Sequence, residues 1–171
     1  MEHTIFNTGG IWKGEGEIGD DKGDRIPVKI AIDCTADSVG WKAEWTIEIQ
    51  GENKKILNRT YKITPYSAGT LTSTWKGDIH EIGEFSGNLT VLRDSIVLTS
   101  EYGNGKYQAM ENFIKEDEKK YRYKATFMKD DEISETWTAE LIKIARQGGR
   151  HEKINRMRRI VYDGLMRNSV C

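Results

Sequence analysis

The chain has 171 residues, with 26 Lys and Arg against 27 Asp and Glu for a formal charge of -1. Its length suits one domain of roughly 100–200 residues, and its balanced charge argues against a bulk nucleic-acid binder, which carries a clear basic excess. Five Trp, seven Tyr and four Phe argue against disorder, and no apolar run approaches the roughly 18 residues of a membrane span.

Met1 to Phe6 has neither the basic nor the apolar region of a secretory signal. The isolated cysteines, Cys34 and Cys171, fit a reducing compartment better than a disulfide framework. The expected location is therefore cytoplasmic.

From Gly10 to Ile144 the chain reads as a series of about ten strands. Gly10-Ile11-Trp12 opens the first, and Gly19 to Gly23 closes it with an Asp- and Gly-rich turn. Val28, Ile30 and Ile32 then alternate with Lys29, Ala31 and Asp33. After a turn at Thr35 to Gly40 comes the clearest alternation. Trp41, Ala43, Trp45, Ile47 and Ile49 share one face, and Lys42, Glu44, Thr46, Glu48 and Gln50 share the other. A helix would mix the two sets. Gly51-Glu52-Asn53 turns into a strand on which Arg59 shares a face with Leu57, Tyr61 and Ile63.

Past the turn at Pro65 to Gly69, Leu71, Ser73, Trp75 and Gly77 alternate with Thr72, Thr74 and Lys76. Arg93-Asp94 and Gly103-Asn104-Gly105 read as tight hairpins, since Asn and Gly tolerate positive φ. Glu116 to Glu118 is a further turn. Tyr121, Tyr123, Ala125 and Phe127 alternate with Arg122, Lys124 and Thr126 before the turn at Lys129-Asp130-Asp131.

A meander of this length has two free edges unless it closes, and closure into an up-and-down barrel removes them. A β-sandwich is the alternative. Beyond Ile144 the pattern changes. Ile154, Met157, Ile160, Val161, Leu165 and Met166 have helical spacing after a Gly-containing linker. Residues 145–171 carry seven basic and two acidic side chains, while residues 1–144 are acidic overall. Such a tail suits packing on its own barrel, or a partner, RNA or an anionic surface.

Motifs with specific chemistry are sparse. Gly14-Glu15-Gly16-Glu17-Ile18-Gly19 matches a dinucleotide fingerprint in letters. Turn residues follow instead of a helix, and Glu15 and Glu17 would repel phosphate, so it reads as a glycine-relieved strand in a curved barrel. Asp20 to Asp24 lacks calcium-loop spacing and reads as a solvated turn. His80, beside Asp78 and Glu81, is a hairpin histidine before it is a metal ligand. No metal site or catalytic constellation is predicted. Arg59 differs, because a cation among apolar neighbours needs an internal glutamate or an anionic ligand.

Gly10-Ile11-Trp12, continued by Lys13-Gly14-Glu15-Gly16-Glu17, resembles the G-x-W start of calycin barrels. These include lipocalins, fatty-acid-binding proteins and nitrobindin-like haem barrels. It is most similar to the nitrobindin-like branch and related bacterial lipocalin-like domains. The resemblance implies a barrel over roughly residues 9–144, with Trp12 plugging its closed end and Lys143 or Arg146 in place of the late arginine that covers this Trp in lipocalins. Gly19 to Arg25 is too short for the two helices that fatty-acid-binding proteins insert there. Haem enters only through this resemblance. The histidine that nitrobindin-like barrels use near the C-terminal end is missing from Ser134 to Ile144, and the histidines present are His3, His80 and His151. The cofactor is thus unknown from sequence.

The sequence therefore predicts an all-β protein, an antiparallel up-and-down β-barrel of about ten strands, calycin- or lipocalin-like, at residues 1–144. A basic linker and an amphipathic C-terminal α-helix are expected at residues 145–171. The expected function is binding of a small, mostly apolar or aromatic molecule inside the barrel. Candidate ligand-binding residues are Trp45, Arg59, Tyr61, Trp75, Tyr107, Tyr123 and Trp137, the rings giving apolar contact and Arg59 or a Tyr hydroxyl orienting a polar end. Two alternatives stand beside it. One is an isomerase- or cyclase-type enzyme acting on an apolar substrate in the same cavity. The other is a filled barrel whose basic C-terminal helix engages a partner.

Overall fold

A computed structural model describes residues 3–37, 40–51, 54–66, 71–79, 83–103 and 105–144. Ten strands follow the alternating segments: β1 (Gly10–Asp20), β2 (Arg25–Ala36), β3 (Trp41–Ile49), β4 (Lys55–Ile63), β5 (Thr72–Ile79), β6 (Gly83–Val91), β7 (Ser95–Tyr102), β8 (Tyr107–Lys115), β9 (Lys120–Lys129) and β10 (Glu132–Ile144). Each pairs antiparallel with its sequence neighbours. β1 and β10 close the ring, in a register running from Ile11 opposite Ile144 to Asp20 opposite Glu135. Closure gives every strand a neighbour on both sides. It is a barrel and not a sandwich. The expected helix within 145–171, with Arg146, His151 and Cys171, lies outside the described residues, as does His80. Among the described residues no helix is long and apolar enough to cross a membrane.

The inward faces are those marked by period-two alternation. Val28, Ile30, Ile32, Ala43, Trp45, Ile47, Tyr121 and Tyr123 are all buried. Leu71 differs from its expected place in an alternating strand. It lies just before β5 and is 71% exposed, because the inward series begins only within the strand. The β9–β10 turn is made by Asp130 and Asp131, both at positive φ, as a tight two-residue hairpin requires. On β1, Gly14 and Gly16 alternate with the exposed Glu15 and Glu17. A Cβ at Gly14 would overlap the Glu140 carbonyl, and one at Gly16 the Thr138 carbonyl. These glycines let β1 press against β10 at the closure.

One end of the barrel is plugged. Trp12 is fully buried, edge-on to Tyr121 with ring centroids 5.3 Å apart. The Lys143 ammonium lies 5.5 Å from its ring, in the covering position that the family resemblance assigned to Lys143 or Arg146. The N-terminal segment folds beneath them, where Ile5 and Phe6 are buried and Phe6 packs on Phe113 at 5.2 Å. His3 fastens this segment. Its Nε2 lies 2.8 Å from the Leu92 carbonyl and its Nδ1 lies 3.3 Å from the Tyr121 hydroxyl, which itself accepts the Thr4 N–H at 2.9 Å. With that acceptance in place the Tyr121 O–H is free to donate to Nδ1, which requires neutral His3 protonated on Nε2.

Burial lowers the His3 pKa, and the Leu92 carbonyl only partly restores it. The folded protein therefore takes up this proton at lower pH than the unfolded chain. The His3 contribution is present above the unfolded value of about 6.5 and is lost as pH falls from there towards the folded value. Urea unfolding on either side of this window should show wild type losing more stability on acidification than His3→Gln. Equal losses in the two proteins would contradict the role given to His3.

Candidate ligand-binding site

The opposite end of the barrel holds a cavity of about 380 Å³. Five strands supply its chemistry, each through the inward half of its alternation, with Phe85 coming from β6. β4 contributes Leu57, Arg59 and Tyr61, and β8 contributes Tyr107, Ala109 and Glu111. β9 contributes Phe127, and β10 contributes Trp137. A register shift in β10 between Ile133 and Glu135 sets Trp137 in phase with the interior. Its indole N–H donates to the Glu135 carboxylate at 2.9 Å.

Arg59 is 5% exposed. From β4 it crosses the lumen to the far wall. Its guanidinium carbon lies 4.7 Å from the Trp137 ring centre and 5.0 Å from that of Phe127. Cation–π contact of this kind offsets part of the desolvation of the charge. Nε and Nη1 are nevertheless buried without a hydrogen-bond partner, and among the described residues no carboxylate forms an ion pair with Arg59. Burial acts to lower its pKa, but the oxygens of Tyr61, Tyr123 and Glu111 outweigh it and raise the value. Arg59 stays charged.

Below the guanidinium lies a polar knot. The Tyr61 hydroxyl donates to the Glu111 carboxylate, 3.0 Å from Oε1 and 3.1 Å from Oε2, and the Tyr123 hydroxyl donates to Oε2 at 2.6 Å. Burial raises the Glu111 pKa, and the Arg59 charge and the two phenol donors pull it down without cancelling that effect. Both phenols are themselves pushed up, chiefly by burial and then by Glu111. They remain neutral donors.

The seven residues nominated from sequence separate by depth. Arg59, Tyr61, Tyr107 and Trp137 line the cavity. Tyr107 stands at its rim, 5.8 Å from Tyr102 across the β7–β8 hairpin. Trp45, Trp75 and Tyr123 lie in a packed aromatic layer beneath. Trp45 is 5.4 Å from both Tyr61 and Tyr123, and Tyr61 is 4.8 Å from Trp75. The Trp75 N–H points into the wall, 3.3 Å from the Asn88 carbonyl and 3.2 Å from that of Thr99.

Sequence analysis did not single out Glu111. The signal was available: counting by twos from Tyr107 gives Ala109, Glu111, Phe113 and Lys115, the inward set of β8. Haem finds no iron ligand of the expected type. His3 is at the closed end, and no described histidine lines the cavity, so the described residues do not fit that group. Among the described residues no cluster of three His, Cys, Asp or Glu is placed to hold a metal ion.

The ten strands close into an antiparallel barrel with a lipocalin-like fold. A solved structure with this architecture, the S-type phycobiliprotein lyase CPES from Guillardia theta, matches with a TM-score of 0.59 and 10% identity, over 81% of this chain and 89% of that one. A likeness at that identity establishes the shared fold. An N-terminal dehydratase from the difficidin assembly line overlaps at a TM-score of only 0.30 with 9% identity, over 88% of this chain and 81% of that one, too little to define a common fold. No family model matches the chain, and no curated protein matches it.

A buried charge without full hydrogen bonding costs stability, and replacing buried ionic groups by isosteres often returns about 1–4 kcal/mol. The double variant Arg59→Met/Glu111→Gln should therefore be more stable than ligand-free wild type, by an amount on that order. Urea unfolding measures it. A double variant no more stable than wild type would mean that Arg59 and Glu111 are structural groups with satisfied partners.

Proposed function

We propose that the protein binds a small, mostly apolar or aromatic molecule carrying one anionic group, with the anion on Arg59 and the apolar body in the mouth of the barrel. The observation that carries this reading is the Arg59 guanidinium. It is buried, charged and lacks partners for Nε and Nη1, yet it lines a cavity. A carboxylate or sulfonate accepting those two N–H groups removes the desolvation penalty and gains charge-assisted hydrogen bonds. Leu57, Phe85, Phe127 and Trp137 offer the apolar surface. The volume, about 380 Å³, falls within the roughly 300–1,000 Å³ of small-molecule pockets.

The cavity supports a hollow barrel over a filled one. That a phycobiliprotein lyase uses the same fold supports ligand binding in the barrel at a coarse level. The identity of this chain's ligand rests on its own residues.

Two fluorescent probes separate charge from apolar contact: anilinonaphthalenesulfonate and its uncharged relative phenylnaphthylamine. Wild type should bind the sulfonate more tightly. Arg59→Met should weaken sulfonate binding about 10- to 100-fold, the worth of a hydrogen-bonded charge contact, and leave the uncharged probe within about twofold. Equal loss of both probes would point to a packing role for Arg59. No change in either would remove the anion site.

A further inference from the structure

Resting on that anion site, one feature of its floor bears on how the site is regulated. Arg59 is the one cation within the interior end of the cavity among the described residues, and Glu111 already faces it. The groups around Glu111 are Arg59 and Tyr61 from β4 and Tyr123 from β9. On β8 itself the other inward charge is Lys115, which pairs with Glu118 at the closed end, 2.6 Å away. The remaining charges at the cavity, Lys55, Glu101, Lys129 and Glu135, are exposed at the rim, where water screens them.

An anionic ligand thus adds a second negative charge to a buried site with one positive charge. Two carboxylate-type anions sharing one cation in low dielectric repel, and one of them takes a proton. A sulfonate or a carboxylate seated directly on the guanidinium has the better ion pair. Glu111 has phenol neighbours that work equally well with a neutral acid.

We infer that anion binding in this barrel is coupled to uptake of one proton by Glu111, with Tyr61 as the relay between the two groups. In the free protein the Tyr61 hydroxyl is committed to the carboxylate, reaching both oxygens at 3.0 and 3.1 Å. Once Glu111 is protonated its O–H donates to the Tyr61 oxygen. The Tyr61 O–H then turns to the ligand anion, while Tyr123 keeps its bond to the second Glu111 oxygen. The proton comes from solvent, and no covalent bond other than O–H is made or broken. The site then acts as a proton-dependent anion carrier, loading at low pH and releasing at high pH.

Calorimetric titration of wild type with anilinonaphthalenesulfonate tests this, because the sulfonate itself stays ionised throughout. Repeating the titration near neutral pH in buffers of different ionisation enthalpy counts the protons taken up. Affinity should fall as pH rises above the ordinary carboxylate range, by up to tenfold per unit where one proton is linked. Glu111→Gln should bind with little pH dependence and at least as tightly as wild type. Binding that needs Arg59 but takes up no proton and is flat with pH would overturn the coupling and leave the anion site standing. A pH dependence unchanged in Glu111→Gln would also overturn it, by assigning the proton elsewhere. If Arg59→Met binds the sulfonate as wild type does, the anion site itself fails. The buffer comparison needs only wild-type protein, so a poorly folding variant does not leave the question open.

Discussion

Glu111 ties opposite walls of the barrel together. It stands on β8 and receives hydroxyl donors from Tyr61 on β4 and Tyr123 on β9. Strands four places apart around the ring are thereby joined through the lumen. This knot sets the depth of the cavity. Below it the rings of Trp45, Tyr61, Phe113, Tyr123 and Trp75 fill the interior at centroid distances of 4.8 to 5.8 Å. Above it the Arg59 guanidinium lies against Trp137 and Phe127 with Nε and Nη1 unmet. Without the knot, the cavity would have no polar floor.

The two ends of the barrel divide the work. The N-terminal plug of His3, Ile5 and Phe6, capped by Trp12 and Lys143, closes one end. That closure leaves the cavity open at one end only and keeps Arg59 and Glu111 buried, which makes their charges matter. In water an Arg–anion contact is worth little; in a closed lumen it is strong. Stability and function therefore pull in opposite directions at Arg59 and Glu111, as expected where a fold holds groups poised for a ligand.

Much of this was legible in the sequence, for a physical reason. A barrel strand buries one face, so β3 wrote its orientation as Trp41, Ala43, Trp45, Ile47 and Ile49. Arg59 stood out because it was in phase with Leu57, Tyr61 and Ile63, the wrong company for a cation. Period two tells inward from outward but carries no information about height along the barrel axis. Trp45, Trp75 and Tyr123 thus shared a face type with Arg59 and yet lie under the cavity. Glu111 was passed over because the two faces of β8 mix apolar and polar residues. The strand places the half-exposed Met110 outward and Glu111 and Lys115 inward. The plug was hidden because His3, Ile5 and Phe6 are irregular chain, with no period to read.

The unmet N–H groups of Arg59 are the proposed point of anion capture. Nuclear magnetic resonance of the arginine side chains observes them directly, with the Arg59 Nε–H signal identified by its loss in Arg59→Met. On saturation with anilinonaphthalenesulfonate that signal should shift strongly and exchange more slowly with water, while phenylnaphthylamine should leave it nearly in place. An Arg59 signal unmoved in a protein saturated with the sulfonate would contradict the central claim.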